Sequence, residues 1–526
     1  MKILISDNLE QSCIEILTRE GFEVDNRPGL PAQELEQVIS GYEGLVVRSA
    51  TKVSAEVIAR GERLKVIGRA GTGVDNIDVE AATRKGILVM NTPGGNTVSA
   101  AEHTVSLLLS LVRNIPQAHM SLARGEWERK KFTGTEVLEK TLGVVGLGKI
   151  GREVAARCQG LGMKVIGYDP LLAPEAAAKA GIEPVSLDEL YRRSDIITVH
   201  TPLTAETRGL LNDNTLARCK KGVRVINCAR GGIVDEAALL RALESGQVAG
   251  AALDVFESEP PSNVALLRHP HVVVTPHLGA STEEAQEKVA VQIAQQIADA
   301  LHGRGYAGVV NGAAMHLTLK AEVRPYVTLA EKLGHLAAQM TAGKLRRVNV
   351  IGAGEIVTST MELLKAGVLK GILSHSQPDP VNFINAPFLA AELGLTVGES
   401  REPAAGSYPN QLRVRYETDR ETRECSGTVF GSSAVRLVMI DGYRFEVNPT
   451  GHLLIYYNID RPGMLASVGA VLARHAVNIG GVSLGRSAAG QMALTVMNID
   501  TPLPPAAMAE LNGLDGITRL RTVFLE

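Results

Sequence analysis

The segment 141–170, TLGVVGLGKIGREVAARCQGLGMKVIGYDP, constrains the fold of this chain more than any other stretch. An apolar run enters a turn that contains Gly146, Gly148 and Gly151, a helical stretch follows, and a second apolar run ends at Asp169. Strand, glycine-rich turn, helix, strand and terminal acid occur within about 30 residues, in the order that a dinucleotide-binding βαβ unit requires. The segment therefore predicts a parallel α/β sheet with a nucleotide site at its edge.

The glycines and the acid have separate physical tasks in such a unit. Gly146 permits the tight turn, Gly148 lets the pyrophosphate approach the backbone, and Gly151 lets the helix pack closely on the strand. The helix amino terminus offers unpaired N–H groups to the phosphates. Asp169 accepts hydrogen bonds from the adenosine ribose hydroxyls and repels a 2′-phosphate, which favours NAD over NADP as the cofactor. A plain turn followed by a solvent-facing acid is the alternative.

Apolar runs recur along the chain and divide it into four regions. Residues 1 to about 95 alternate short β-branched runs (KILIS, GLVVRS, LKVIGRA and GILVMN) with helical stretches, which predicts a first parallel α/β lobe. A second series of runs, from TLGVVG to HVVVTPH, predicts strands buried on both faces of a doubly wound sheet. Residues 311–448 mix helices with late strands, read as QLRVRYETD, GTVFG and AVRLVMIDGYRFEV. From Gly451 the order is βαββαβ, which is a ferredoxin-like plait.

The composition excludes several classes of protein. A chain of 526 residues with 45% hydrophobic and 21% charged residues is typical of a globular protein of several domains. A net charge of -3 argues against nucleic acid as the main partner, and the amino terminus lacks the apolar core of a signal peptide or a membrane span. Five scattered cysteines without a CxxC pair predict neither disulfides nor a metal site. We expect a cytoplasmic protein with no membrane partner.

Three polar residues follow three predicted strands of the second sheet. Arg230 follows VRVINCA, Glu259 lies just beyond GAALDVF, and His277 closes HVVVTP. Because ligands of open α/β sheets bind outside the carboxyl ends of the strands, we expect these side chains to line the cofactor edge. Each residue also has a purely structural interpretation: Arg230 as the cap of a strand, Glu259 as a solvated acid in a loop, and His277 as a hydrogen-bonded histidine of the core.

Together the three residues suit the oxidation of a hydroxy acid. His277 would take the hydroxyl proton in oxidation and return it in reduction. Arg230 would clamp the substrate carboxylate and polarise the carbonyl, while Glu259 would orient the imidazole and tune it towards its protonated form. Small neighbours such as Ala229 and Gly279 leave room for the nicotinamide.

The motifs LGVVGLGKIG, NCARGGIVDEAAL, GAALDVFESEP and TPHLGAST resemble those of the D-isomer-specific 2-hydroxyacid dehydrogenases. Within this family the chain is most similar to the long members with two extra C-terminal domains, which oxidise 3-phosphoglycerate to 3-phosphohydroxypyruvate with NAD as the first step of serine synthesis. The resemblance covers essentially the whole chain and is weakest at 311–448. Arg230, Glu259 and His277 match the family's catalytic arginine, glutamate and histidine.

The resemblance also implies a fold and domain limits. The implied class is α/β: a doubly wound Rossmann-type parallel sheet and a smaller flavodoxin-like substrate lobe, followed by an α+β intervening domain and a ferredoxin-like ACT domain. The domains would be 1–97 with 282–308 (discontinuous substrate-binding lobe), 98–281 (NAD-binding), 309–450 (intervening) and 451–526 (ACT, regulatory). Besides the three glycines and Asp169, the positions implied to contact NAD are Thr72, Lys149, Ile150, Thr201, Cys228, Ala229, Arg230, Asp254, His277 and Gly279.

A phosphorylated substrate needs cations on the opposing lobe, because an unpaired dianion is costly to desolvate. Arg48 and Arg69 lie at predicted strand ends of the first lobe and match the family's substrate positions, alongside Arg230 and His277. Arg129, in GEWERKKF, is implied to reach the site of a neighbouring subunit. Solvated surface charge is the alternative for the basic residues outside the catalytic trio.

The C-terminal plait is similar to the amino-acid-binding ACT domain. The turn from Asp460 to Gly463 precedes a helix whose N–H groups would take an amino-acid carboxylate, and Asn478 would bind the amine or amide edge. This suggests L-serine as a feedback effector. A dimerisation plait without a ligand is the alternative.

Further expectations concern assembly and other functions. We expect a homo-oligomer, a dimer or a tetramer, joined through the helical segment 97–127. Two other functions stay open from the sequence: a glyoxylate or hydroxypyruvate reductase without phosphate recognition, and a non-catalytic NADH-sensing protein similar to the dehydrogenase-like corepressors.

Overall fold

The computed structural model of the chain describes residues 1–377, 380–403 and 408–526. Four β-sheets organise these residues: two parallel sheets, one mixed sheet and one antiparallel sheet. The predicted fold class is confirmed: a smaller parallel α/β lobe comes first in the chain, and a Rossmann-type sheet, an α+β domain and a ferredoxin-like plait follow it.

The first sheet is parallel and has the strand order β2-β1-β3-β4-β5, as in flavodoxin-like folds. Its strands are β1 (Lys2–Ile5), β2 (Glu23–Asn26), β3 (Gly44–Val47), β4 (Val66–Arg69) and β5 (Leu88–Asn91). The helices between them are α1 (Gln11–Arg19), α2 (Ala32–Val38), α3 (Ala55–Arg60) and α4 (Val79–Arg84). Strand β2 was missed by the sequence analysis because its sequence, EVDN, is polar, as an edge strand allows.

The second sheet is also parallel and has the order β12-β11-β10-β9-β6-β7-β8, a doubly wound arrangement. Two helices lead into it, α5 (Thr97–Val112) and α6 (Ile115–Ala123). The strands are β6 (Thr141–Val145), β7 (Lys164–Tyr168), β8 (Glu183–Pro184), β9 (Ile196–Val199), β10 (Val223–Asn227), β11 (Val248–Leu253) and β12 (Val272–Val274). The helices are α7 (Lys149–Gly160), α8 (Pro174–Lys179), α9 (Leu187–Arg193), α10 (Asp213–Leu216), α11 (Glu236–Glu244) and α12 (Val264–Leu267).

Helix α13 (Glu283–Leu301) follows the second sheet but packs on the first one. Its buried residues Ile293 and Ile297 lie against Gly68 of β4, where an added Cβ would stand 2.4 Å from Ile297 Cδ1. The Thr282 hydroxyl caps the helix by accepting a hydrogen bond from the Ala285 N–H at 3.2 Å. The chain therefore returns to the first lobe after the second, while the exact domain limits given above stay predictions.

The third sheet is mixed and has the order β14-β13-β15-β16-β17-β18, with β13 and β14 parallel. Its helices are α14 (Arg324–Met340), α15 (Glu355–Ser359), α16 (Met361–Leu373) and α17 (Ala386–Glu392). Its strands are β13 (Leu345–Ala353), β14 (Thr396–Glu402), β15 (Gln411–Thr418), β16 (Thr422–Phe430), β17 (Ala434–Ile440) and β18 (Tyr443–Val447). The run AVRLVMIDGYRFEV, read above as one strand, is a hairpin because Asp441 and Gly442 both adopt positive φ, 47° and 83°.

The fourth sheet is antiparallel with the order β20-β21-β19-β22, the ferredoxin-like arrangement. Its elements are β19 (Gly451–Ile459), α18 (Met464–Arg474), β20 (Ile479–Arg486), β21 (Met492–Ile499), α19 (Pro505–Asn512) and β22 (Ile517–Leu525). One face, with Leu454 and Tyr456, packs on α18 and α19, and the other, with Leu453 and Ile455, joins the core around α14. The two C-terminal domains therefore share a hydrophobic core.

The described residues also form short 3-10 helices, Ile39–Gly41, Arg129–Phe132 and Ala313–Leu319.

All five cysteines carry free thiols, and four of them are buried. Within the described ranges, the structure contains no helix with the length and apolar character needed to cross a membrane.

Candidate active site

The glycine turn after β6 has the backbone geometry that a dinucleotide site needs. Gly146 has a φ of 92°, and a Cβ there would stand 2.6 Å from the carbonyl oxygen of His200. A Cβ at Gly151 would stand 2.0 Å from the carbonyl oxygen of Gly146, so the first turn of α7 presses directly on the loop. A Cβ at Gly148, the N-cap of α7, would meet no atom of the described residues within 4 Å. The space above the helix amino terminus is therefore open to a phosphate group.

Two further features beside this turn fit a bound dinucleotide. The hydroxyl of Thr201, close to Gly146, is buried without a hydrogen-bond partner among the described residues. Asp169 lies directly after β7, where its Oδ2 accepts the Leu147 N–H at 2.8 Å and its Oδ1 accepts the Leu171 N–H at 2.9 Å. Each carboxylate oxygen keeps a lone pair for a ribose hydroxyl. The orphaned hydroxyl, the open helix terminus and the anchored acid all suit NAD.

The remaining residues implied to contact NAD lie around the gap between the two lobes. Lys149 reaches across it and donates from Nζ to the Pro93 carbonyl at 3.2 Å. Thr72, on the first lobe, donates to Asn96 Oδ1 at 2.8 Å. Cys228 follows β10, and burial raises the pKa of its thiol to about 12, so it is present as the neutral thiol. Ile150, in the first turn of α7, is partly buried against the core of the second lobe.

Asp254, at the end of β11, organises the loop that carries His277. Its carboxylate accepts the backbone N–H groups of Leu278 at 2.7 Å and Gly279 at 2.8 Å. The Thr275 hydroxyl and His103 Nε2 complete its shell at 2.5 Å and 3.1 Å. Burial alone would raise the pKa of Asp254, but the hydrogen bonds from His103, Thr275 and Leu278 lower it below the ordinary value. The group is therefore an ionised anchor for the loop.

His277 and Glu259 form a pair at this anchored loop. His277 Nδ1 lies 2.7 Å from Glu259 Oε2, and Glu259 Oε1 accepts the Phe256 N–H at 3.3 Å. His277 adopts a left-handed φ of 56°, which a residue with a side chain rarely takes. The side chains remain 44% and 40% exposed, so the imidazole can meet a ligand in the cleft.

Arg230 stands in the loop after β10, beside the loop that carries Glu259. The Asn227 side chain fixes this turn by accepting the Ala229 N–H at 3.0 Å and donating to the Arg230 carbonyl at 2.9 Å. A Cβ on Gly231 would stand 1.7 Å from the Phe256 carbonyl oxygen, so the two loops touch through their backbones. The geometry thus links the positions of Arg230 and Glu259, and through Glu259 that of His277.

Two arginines of the first lobe face the same cleft. Arg48 is held by its backbone N–H, which donates to Asp7 Oδ2 at 2.5 Å, and its Nη1 donates to Gln286 Oε1 at 3.3 Å. Arg69 Nε is buried and has no hydrogen-bond partner among the described residues. Burial, reinforced by the charges of Arg230 and Arg48, lowers the pKa of Arg69 to about 10. The guanidinium groups of Arg48, Arg69 and Arg230, together with the unpaired N–H of Arg69 Nε, suit an anion that carries more than one negative charge.

Arg129 and the predicted effector residues lie apart from the cluster formed by Arg48, Arg69 and Arg230. Arg129 is exposed on the 3-10 helix of the second lobe, and no hydrogen bond or ion pair in the described parts of the chain joins it to the cluster. In the fourth sheet domain, Gly463 is the N-cap of α18 with a φ of 86°. Asp460 accepts from Arg486 Nη1 at 3.1 Å, and Asn478 donates to Asp500 at 2.7 Å. The roles assigned to these residues, as to the cleft residues, stay predictions.

The sequence analysis missed two polar residues of the cleft. Asp75 accepts from Arg230 Nε at 2.9 Å, and His103 contacts the carboxylate of Asp254. Asp75 belongs to the loop GRAGTGVDN after β4, whose closely spaced glycines were a signal of close backbone approach that the analysis did not use. His103 lies inside α5, and nothing in its local pattern distinguishes it from a core histidine.

Three family models match the chain in succession. The D-isomer specific 2-hydroxyacid dehydrogenase NAD binding domain matches residues 105–279. The D-3-phosphoglycerate dehydrogenase intervening domain matches residues 322–441, and the ACT domain matches residues 452–516.

Two similar proteins match nearly the whole chain, and a similar solved structure matches more than half of it. The D-3-phosphoglycerate dehydrogenase of Archaeoglobus fulgidus is 42% identical over 98% of this chain and 98% of its own length. That of Methanocaldococcus jannaschii is 41% identical over 100% of both chains. The crystal structure of D-lactate dehydrogenase from Aquifex aeolicus, complexed with NAD and lactic acid, has a TM-score of 0.52 and 29% identity. The superposition covers 58% of this chain and 96% of that one.

Proposed function

The chain belongs to the D-3-phosphoglycerate dehydrogenases of the D-isomer specific 2-hydroxyacid dehydrogenase family, and we propose that it oxidises 3-phosphoglycerate to 3-phosphohydroxypyruvate with NAD. This reaction is the first step of the phosphorylated route to L-serine. The observation that supports the proposal most strongly is the cluster of Arg48, Arg69 and Arg230, which lies in the same cleft between the lobes as the His277–Glu259 pair. Within this cluster, Arg69 Nε has no hydrogen-bond partner among the described residues. A substrate with a carboxylate and a phosphate supplies the anionic charge that this cluster needs.

The residues of the cleft have distinct roles in the reaction. Arg230 binds the substrate carboxylate with its planar fork, and Arg48 and Arg69 bind the phosphate. Binding at both ends of the substrate would fix its central carbon, C2, with its hydroxyl towards His277.

His277 handles the proton of the reaction. Its Nδ1 is engaged by Glu259, whereas its Nε2 has no hydrogen bond to any residue that the structure describes. Nε2 therefore accepts the proton when the O–H bond of the substrate breaks and the C=O bond forms. NAD, when bound, supplies the acceptor for the hydride that leaves C2 with the electron pair of the C–H bond. Glu259 stabilises the imidazolium and holds the ring in place.

The ACT domain is the regulatory part of the proposal. L-serine binds beside the amino terminus of α18, with its carboxylate on the N–H groups near Gly463 and its amine near Asp460 and Asn478. The left-handed Gly463 supports this arrangement, since a Cβ there would meet nothing within 4 Å. Initial rates measured with and without L-serine test it, and an unchanged rate at millimolar serine removes the effector from the account.

The assembly is a homodimer, or a tetramer built from it, through an apolar surface on the second lobe. Large apolar side chains stand exposed there on α6 and in the segment that follows it: Ile115 52%, Met120 58%, Leu122 57% and Trp127 77% exposed. A second copy would cover them and bring Arg129 towards the partner's cleft. Sedimentation of the Trp127→Glu variant tests the surface. The free thiols support the cytoplasm as the compartment.

The experiment that tests the activity is an initial-rate measurement. The purified protein is mixed with 3-phosphoglycerate and NAD at alkaline pH, and NADH is followed at its absorbance near 340 nm. We expect steady NADH formation that saturates with 3-phosphoglycerate, and a much lower kcat/KM with unphosphorylated D-glycerate. Equal kcat/KM values for the two substrates would favour a reductase without phosphate recognition, and no NADH from a protein that binds NAD would favour a cofactor-sensing role.

A further inference from the structure

An ion pair joins the two lobes across the cleft. Asp75 lies in the loop between β4 and α4 of the first lobe, and Arg230 lies after β10 of the second lobe. Arg230 Nε donates to Asp75 Oδ2 at 2.9 Å. We infer that Asp75 is a positioning residue for Arg230, which fixes the guanidinium across the cleft so that its outer edge receives the substrate carboxylate. The inference rests on the proposed function, in which Arg230 binds that carboxylate.

The donors of Arg230 are divided in a way that supports this role. A guanidinium has five N–H groups. The Nε group is taken by Asp75, and one Nη1 group is taken by the Ala229 carbonyl at 2.7 Å. The plane is therefore held at two of its three nitrogens and cannot rotate freely about the side chain. Three N–H groups remain, which is enough for a bidentate pair with one carboxylate.

The loop of Asp75 is shaped for this contact. A Cβ on Gly73 would stand 2.0 Å from Arg230 Nη2 and 2.7 Å from Asp75 Oδ2, so any larger residue would displace the pair. A Cβ on Gly71 would likewise stand 2.1 Å from Arg69 Nη1. The alternating glycines of GRAGTGVDN therefore let two guanidinium groups lie against one loop. Consequently, the orientation of Arg230 depends on how closely the second lobe approaches this loop.

The carboxylate of Asp75 is also a solvent-accessible negative charge next to the cluster of Arg48, Arg69 and Arg230. Asp7, the other carboxylate acting on Arg69, is 3% exposed and is committed to the backbone N–H groups of Arg48 and Thr51. Asp75, in contrast, has a side chain that is 65% exposed, and Arg230 is its ion-pair partner. Exposed ion pairs contribute little to the stability of a fold, so the effect of Asp75 is expected on substrate binding rather than on folding.

The test compares Asp75→Asn with a matched control in the same loop, Asp78→Asn. Asp78 caps α4 by accepting the Ala81 N–H at 2.9 Å, and asparagine caps helices equally well. For each variant we measure kcat and KM with 3-phosphoglycerate, inhibition by oxalate as a small carboxylate probe, and the Kd of NADH by fluorescence. Asp75→Asn should raise KM and weaken oxalate about tenfold, with the NADH Kd within about twofold of the wild type. Asp78→Asn should change all three by less than about twofold.

The double variant Asp75→Asn with Arg230→Met separates positioning from a general effect on the loop. If Asp75 acts through Arg230, the KM of the double variant equals that of Arg230→Met alone, because methionine has no N–H group to pair with Asp75. Multiplicative effects of the two changes would overturn the inference, as would an unchanged KM and oxalate affinity in Asp75→Asn.

The outcome stays decisive if Asp75→Asn does not fold. Asp75→Glu then takes its place, since it keeps the carboxylate and moves it by one methylene group. It should raise KM about threefold or more, and an unchanged KM overturns the inference. Failure of the proposed function shows differently, as an inactive wild type that still binds NADH.

Discussion

The backbone N–H of His277 donates to the carbonyl of Asp254 at 2.9 Å, while the carboxylate of the same Asp254 takes the N–H groups of the next two residues. This double attachment holds His277 at its left-handed φ of 56°, a conformation that needs support from its surroundings. The backbone at His277 is thus fixed by the buried, ionised Asp254, while the imidazole ring itself is oriented by Glu259.

Glu259 is predicted to support His277 through its charge as well as its hydrogen bond. Replacing it by glutamine keeps a hydrogen-bond acceptor at Nδ1 but removes the negative charge that stabilises the imidazolium formed during the reaction. We expect kcat of Glu259→Gln to fall about tenfold, with the Kd of NADH unchanged. Glu257→Gln is the control, because Glu257 contacts the backbone N–H of Glu236 instead of the histidine. A Glu259→Gln variant with the kcat of the wild type would remove Glu259 from this role.

Arg69 is predicted to distinguish phosphorylated from unphosphorylated substrates. Its buried Nε has no hydrogen-bond partner in the described part of the chain, so a phosphate oxygen gains a charge-assisted hydrogen bond that D-glycerate cannot make. In Arg69→Gln we expect kcat/KM to drop about 100-fold for 3-phosphoglycerate and less than about fivefold for D-glycerate. Arg60→Gln, on the exposed end of α3, should behave as the wild type. Equal losses in kcat/KM for the two substrates would show that Arg69 does not bind the phosphate.

Asp169 is predicted to determine the choice of cofactor. Its carboxylate is anchored by two backbone N–H groups at the end of β7, where a ribose hydroxyl can pair with it and a 2′-phosphate is repelled. Asp169→Ser should lower the ratio of kcat/KM for NAD over NADP by about 10-fold to 100-fold, since the repulsion is lost together with the hydrogen bonds. An unchanged ratio would place the discrimination elsewhere.

His200 is predicted to make the stability of the protein depend on pH. Enclosure beside the glycine turn lowers the pKa of His200 to about 4, whereas an unfolded chain keeps it near 6.5. Between these values the unfolded chain binds a proton that the folded chain does not, so stability is lost as the pH falls below about 6.5. Urea unfolding at pH 7 and pH 5 measures the loss. We expect His200→Gln to lose about 2 kcal/mol less than the wild type on this acidification, and an equal loss contradicts the assignment.

The sequence predicted best what is fixed by local pattern. The glycine turn was identified because three glycines, a helix and an acid occur in one short segment, and the structure gives Gly146 and Gly151 the close contacts that the pattern requires. The positions of Arg230, Glu259 and His277 followed from the rule that parallel strands end at a common edge. Strand β2 and the hairpin of β17 and β18 were missed, since one lacks an apolar pattern and the other hides a two-residue Asp-Gly turn inside an apolar run.

Contacts between elements that are distant in sequence could not be predicted in the same way. Asp75 and Arg230 are 155 positions apart, and His103 and Asp254 are 151 positions apart. The contact of Asp75 with Arg230 depends on how the two lobes face each other, whereas that of His103 with Asp254 depends on how α5 packs on the second sheet. The ion pair of Arg84 with Glu392 at 2.9 Å, between the first lobe and α17, also joins separate domains. In physical terms, secondary structure is predicted from neighbours in sequence, whereas these pairs result from the packing of distant elements and whole domains.

The most direct test of the account concerns His277 itself. His277→Ala removes the group that accepts the substrate proton, whereas His271→Ala removes an exposed histidine at the other end of the same strand, β12. Turnover with 3-phosphoglycerate and NAD is measured for both variants, together with the Kd of NADH as a check on the fold. The account predicts a loss in kcat of about 100-fold or more for His277→Ala, with NADH bound as in the wild type, and no more than about a twofold change for His271→Ala. A His277→Ala variant that binds NADH and turns over within about tenfold of the wild type would contradict the central claim.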